Sequence, residues 1–148
     1  MILRGAVNTL LVVLATASAA VGHCEAQRVL HLSDGDSVLF LGSGQANVPN
    51  KPPGLLIDFN PLSSLRDTAA LEVKALMVWQ VLRDSISSAS PAFVVLRATD
   101  RNPQQQGIRE GHSFGFVVER RPDGDWYFYR DSLTIDQRIA ALRSRGHT

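Results

Sequence analysis

Ser37, Asp58 and four histidines are the side chains of this sequence best suited to nucleophilic or acid–base work. A serine nucleophile needs a base to take its proton and a third group to orient that base. Ser37, His31, Asp58 and His112 are the residues from which such a site would be assembled, and their separation leaves the assembly to the fold. His31 with Asp34 and Asp36 also invites a metal ion. A metal site takes three or four converging donors, however, and a strand position gives His31 one face only. A backbone or water partner satisfies that imidazole as well. Asp34-Gly35-Asp36 and Asp123-Gly124-Asp125 begin as calcium loops do, but neither continues to a bidentate glutamate, so both read as hairpin turns. No metal and no cofactor is expected.

Two short motifs are incomplete in their surroundings. Gly35-Asp36-Ser37-Val38 resembles the nucleophile segment of GDSL-type hydrolases, and the resemblance implies a later Asp-x-x-His. None of the four histidines has Asp three residues before it, and the match ends after four residues. Gly42-Ser43-Gly44 starts like a dinucleotide-binding turn, but Asn47 stands where a third glycine belongs and prolines follow instead of a helix.

Trp126-Tyr127-Phe128-Tyr129 is the segment with most to offer a ligand. Strand alternation puts Trp126 and Phe128 on one face, Tyr127 and Tyr129 on the other. One face is expected to pack on a helix; the other is either covered or presents two tyrosines. Arg97 and Arg130, both read as strand residues, would supply charge beside such a surface. Arg138, Arg143 and Arg145 are read as cations complementing the end of a helix.

These residues need a scaffold, and its size and address are legible. The chain has 148 residues with 15 Lys+Arg against 14 Asp+Glu, a formal charge of +1 that gives no field to draw in nucleic acid. Residues 1–26 read as a removable signal peptide. Arg4 opens it, Leu10-Leu11-Val12-Val13-Leu14 is its short apolar centre, and Ala15 to Ala20 offer small-residue cleavage sites. The apolar run is far shorter than the ~20 residues a bilayer span requires. Cleavage after Ala26 removes the single cysteine, Cys24; cleavage near Ala19 or Ala20 keeps it. His23 before Cys24 argues against a lipid anchor.

Residues 27–148 are expected to form one α+β domain with element order β-β-β-α-β-β-β-α. Val29 to Leu41 reads as a hairpin around Asp34-Gly35, Gly42 to Pro53 as loop, and Gly54 to Phe59 as a strand. A long helix is predicted from Leu65 to Ser87, capped by Ser64 with Asp67, its stripe Leu71, Ala75, Val78, Trp79, Leu82 and Ile86. Ala92 to Ala98 reads as a strand covered on both faces, Asp100 to His112 as a loop, and Ser113 to Tyr129 as a second hairpin. Thr134 with Gln137 caps a short last helix. Hairpin connections predict a mainly antiparallel sheet of five to six strands with the long helix across it.

Functionally, the residues point to an exported, periplasmic or secreted binding or accessory module without catalysis. It would meet a protein or small-molecule partner of the envelope through its sheet surface or the loop before Ser113, with Tyr127, Tyr129, Arg97 and Arg130 as binding residues. Neither nucleic acid nor a membrane is an expected partner. The alternatives are a small hydrolase built from the scattered Ser, His and Asp residues, and an inhibitor or immunity-type protein.

Overall fold

The computed structural model describes residues 28–101 and 111–146. The signal-peptide assignment for 1–26 and the segment 102–110 of the Asp100–His112 loop lie outside the described residues. Six strands form one sheet in the spatial order of the chain: β1 (Arg28–His31), β2 (Ser37–Ala46), β3 (Gly54–Asn60), β4 (Phe93–Thr99), β5 (Ser113–Arg120) and β6 (Trp126–Phe128). Every neighbouring pair is antiparallel except β3 and β4. Those two are parallel because helix α1 (Thr68–Ala89) lies between them in sequence and returns the chain to the same end of the sheet. A short helix α2 (Ile135–Ser144) follows β6. The element order and the mainly antiparallel sheet agree with the sequence expectation.

The two Asp-Gly-Asp segments are turns of the same design. Asp34 accepts from the Asp36 amide at 3.0 Å and Asp123 from the Asp125 amide at 2.9 Å, with Gly35 and Gly124 at φ +85° and +89°. The carboxylate closes the turn and glycine takes the backbone angle a side chain resists.

Helix α1 starts later than predicted. Asp67, not Ser64, is its cap and accepts from the Ala70 amide, whereas Ser64 accepts locally from the Arg66 amide. The helix ends at Ser90, whose φ of +50° lets its amide reach the Ile86 and Ser87 carbonyls. Leu71, Ala75, Val78, Trp79, Leu82 and Ile86 are all buried. Leu76 and Met77, which lie off that stripe, are buried too, so the helix seats a broader face than an ideal stripe. For α2, Thr134 and Gln137 form the predicted capping box, each accepting from the other's amide, at 3.1 and 2.9 Å.

Both helices pack against one face of the sheet. Ile135 and Ile139 of α2 belong to the same core as Trp79, Leu96, Val118 and Phe128, and Trp126 meets Trp79 edge to face at 5.0 Å. Arg138 ties α2 to α1 through Glu72 and to the β6–α2 turn through Asp131. Lys74 holds the Pro61 carbonyl and pairs with Asp36 at 3.2 Å.

Three strand assignments change. Gly42 to Ala46 is not loop: β2 continues through a bulge between Phe40 and Gly42, which absorbs one unpaired residue and preserves the pairing beyond it. β4 is covered along its helix side and, on the other face, only at its ends, where Phe93 and Thr99 are buried. Val94, Leu96 and Ala98 face the helices, while Arg97 on the other face is 44% exposed in its side chain. Arg130 is not in a strand, because β6 stops at Phe128 and Arg130 turns the chain away at φ +64°.

Candidate binding face

The sheet face opposite the helices carries no element among the described residues. Strand alternation and the observed register order its side chains into lateral rows. One row runs Gly44, Leu56, Val95, Val117 across β2 to β5, and Tyr129 continues it, because its amide donates to the Val117 carbonyl at 2.9 Å. Leu56 and Val95 are half-buried, Val117 is 36% exposed and Tyr129 51%. These apolar side chains face solvent together, a contiguity that distinguishes a patch from scattered surface hydrophobics.

The next row runs Gly42, Asp58, Arg97, Gly115. Arg97 donates from Nε to Asp58 Oδ1 at 2.5 Å and from Nη2 to Oδ2 at 2.7 Å, a two-pronged contact across the parallel pair. That hydrogen-bonded carboxylate raises the guanidinium above its ordinary value, against the smaller opposing effect of burial. Glycine on either side leaves the pair without flanking side chains. A Cβ on Gly115 would touch only Val95, at 3.7 Å, and one on Gly44 would meet nothing within 4 Å. The result is an ion pair flanked by glycines with an apolar row beside it.

Of the residues expected to bind, Arg97 and Tyr129 share this face, two strand positions and one row apart. Arg130 follows Tyr129 and sets its guanidinium 5.1 Å from that ring. Tyr127 points to the same side but is covered. Arg121 stacks over its ring at 4.0 Å, and its hydroxyl donates to Asp123 Oδ2 at 2.6 Å, which pushes the phenol above and the Asp123 carboxyl below their ordinary values. Lys51, from the proline-rich β2–β3 connection, also reaches Tyr129, its Nζ 5.6 Å from the ring centroid. Neither Lys51 nor the Asp58–Arg97 contact was legible beforehand. Parallel pairing of β3 with β4 sets that contact, and parallel register leaves no turn signal in the sequence.

The residues considered for catalysis separate into two places. His31 and Ser37 face each other across β1 and β2, Nδ1 to Oγ 3.2 Å, on the exposed rim of the sheet. Neither lines the cavity beside Phe40 and Leu82 or the one beside Phe116 and Phe128, and Asp58 is engaged by Arg97. His112 stands at 3.4 Å from Asp100 at the start of β5, largely exposed. The His31–Ser37 arrangement places a hydroxyl in hydrogen-bond reach of an imidazole, the first two members of a nucleophilic triad, and among the described residues no third side chain is hydrogen-bonded to that imidazole.

Among the described residues, no group of three His, Cys, Asp or Glu side chains is placed to hold a metal ion, and no helix is long and apolar enough to cross a membrane. Compared with known proteins, the chain matches no protein-family model, no curated protein and no solved structure.

Proposed function

We propose that this chain is an exported, non-catalytic binding module that meets its partner through the helix-free face of its sheet. The observation that carries the reading is the solvent-facing row Leu56, Val95, Val117 and Tyr129 beside the glycine-flanked Asp58–Arg97 pair. A domain of this size ordinarily places apolar side chains of one sheet face under a second layer. Here the face combines apolar area, an aromatic ring and a polar pair with open N–H groups, the mixture typical of recognition surfaces. The signal-like pattern of residues 1–26 supports recognition outside the cytoplasm.

The test is co-isolation from the envelope fraction of the producing cell with the native protein, Val95→Lys and Val81→Lys as baits. Val81 is an exposed position on α1, so the reading predicts that Val95→Lys alone loses the partner. Equal retention by both variants contradicts it.

The 3.2 Å contact of His31 with Ser37 supports one second reading, a serine hydrolase. Labelling by a fluorophosphonate probe that Ser37→Ala abolishes would favour it over the binding module.

A further inference from the structure

Strand β5 is eight residues long, but β6 pairs with only Val118 to Arg120. Tyr129 adds one bond, to the Val117 carbonyl. The chain then turns off, with the Asp131 amide on the Phe128 carbonyl at 2.9 Å. Main-chain groups alternate sides along an antiparallel strand, so the bond at Val117 fixes the pattern. Gly115 and Ser113 also direct their N–H and C=O to the side β6 has vacated, and both are exposed. Among the described residues no strand pairs with them on that side, β4 taking the other. A row of unpaired strand donors and acceptors is a template for another strand.

The vacated place is a notch of about 410 Å³, lined by Phe116, Val117, Phe128, Tyr129, Glu72 and Arg138 among others. Phe114 is 39% exposed beside it, its ring 5.1 Å from Phe116, which stands 5.9 Å from Phe128. An incoming strand would lay alternate side chains on this aromatic ladder and the others over Gly115, where no side chain obstructs it.

Charge indicates what that strand carries. Glu72 and Asp131 in the notch are both engaged by Arg138. Lys51 and Arg130 both approach the Tyr129 ring, are exposed, and belong to none of the ion pairs among the described residues. Two cations beside one ring, at the end of an open strand edge, match a carboxylate. Arg130 also holds φ +64°, a conformation that strains a residue with a Cβ and is maintained only where surrounding structure imposes it.

We propose that the open edge of β5 takes up an extended segment of a partner protein as an added strand, with an acidic residue of that segment seated between Lys51 and Arg130. This rests on the binding-module reading and names the form of the partner. The segment Ser113-Phe114-Gly115-Phe116 of a second copy has no carboxylate, so self-pairing leaves the two cations unanswered.

The probe is a fluorescein-labelled hexapeptide of alternating valine and threonine with glutamate at both ends, compared by anisotropy with the same peptide ended by lysine. The glutamate peptide is expected to bind about tenfold more tightly, with Arg130→Glu reversing the preference. Amide exchange of Ser113 and Gly115 should slow on binding. Equal affinity for the two peptides, no binding, or binding that leaves those two amides unprotected overturns the proposal. So does self-association of the free protein that protects the same amides. If the peptide result fails while Val95→Lys still abolishes co-isolation, the strand-edge inference falls and the sheet-face reading stands.

Discussion

Trp79 is 2% exposed and its ring meets Trp126 at 5.0 Å, so it joins α1 to the far end of the sheet. Trp79→Ala removes the largest fully buried side chain and leaves a cavity, at an expected cost of about 3–5 kcal/mol, read from the urea midpoint. A smaller backbone-dependent effect belongs to Gly54. A Cβ there would lie 2.6 Å from the buried Phe93 ring, so Gly54→Ala should cost about 1–3 kcal/mol, and Phe93→Leu in the same chain should recover part of it. Titration acts at this scale as well. Hydrogen bonding from Arg138 holds the Asp131 carboxyl below its ordinary 3.8, and the Ser37 amide, with Lys74, does the same for Asp36. A carboxyl lowered in the folded state contributes stability above its unfolded value and loses it as pH falls through the folded one. Tyr127, raised above 10.0 by Asp123, contributes below that value and loses its contribution as pH rises. Thermal midpoints should therefore hold steady from about pH 5 to 9 and fall on both sides. Asp131→Asn should weaken the acid limb; an unchanged limb contradicts its assignment.

At the scale of elements, caps decide boundaries that hydrophobic periodicity leaves open. Ser64 and Asp67 both satisfy the pattern of a helix start, and the sequence does not rank them. The fold does, because Pro61 is buried and its carbonyl is taken by Lys74, which commits residues 62–67 to a turn before the helix begins. Asp67→Ala should cost about 0.5–2 kcal/mol and Ser64→Ala much less, by chemical denaturation. The hairpin turns and the α2 capping box were readable because their chemistry is local. The extension of β2 was not. Gly42 and Gly44 look like loop residues, and what keeps them in a strand is the partner β3, which supplies the ladder after the bulge absorbs one residue. The end of β6 was hidden for the opposite reason. Trp126 to Tyr129 keeps perfect alternation, yet Arg130 turns the backbone one residue later.

For the molecule as a whole, the α+β order followed from local signals, but the candidate face depends on long-range pairing. Arg97 and Tyr129 were identifiable as residue types; that Asp58 sits beside Arg97, and Lys51 beside Tyr129, comes from register and from the path of the β2–β3 connection. The Asp58–Arg97 pair is exposed, so it adds little to stability, about 0–1 kcal/mol. Arg97→Met should leave the denaturation midpoint nearly unchanged while weakening partner capture. A large loss of stability would make the pair structural instead. The two helices bury one sheet face and leave the other as the surface with both apolar area and open polar groups. A photoreactive phenylalanine analogue placed at Val95, and in a separate protein at Val81 on the outer side of α1, tests that division in the envelope fraction. Illumination should give a discrete adduct from position 95 and none from position 81; an adduct from 81 alone, or from neither position, contradicts the helix-free face as the site of recognition.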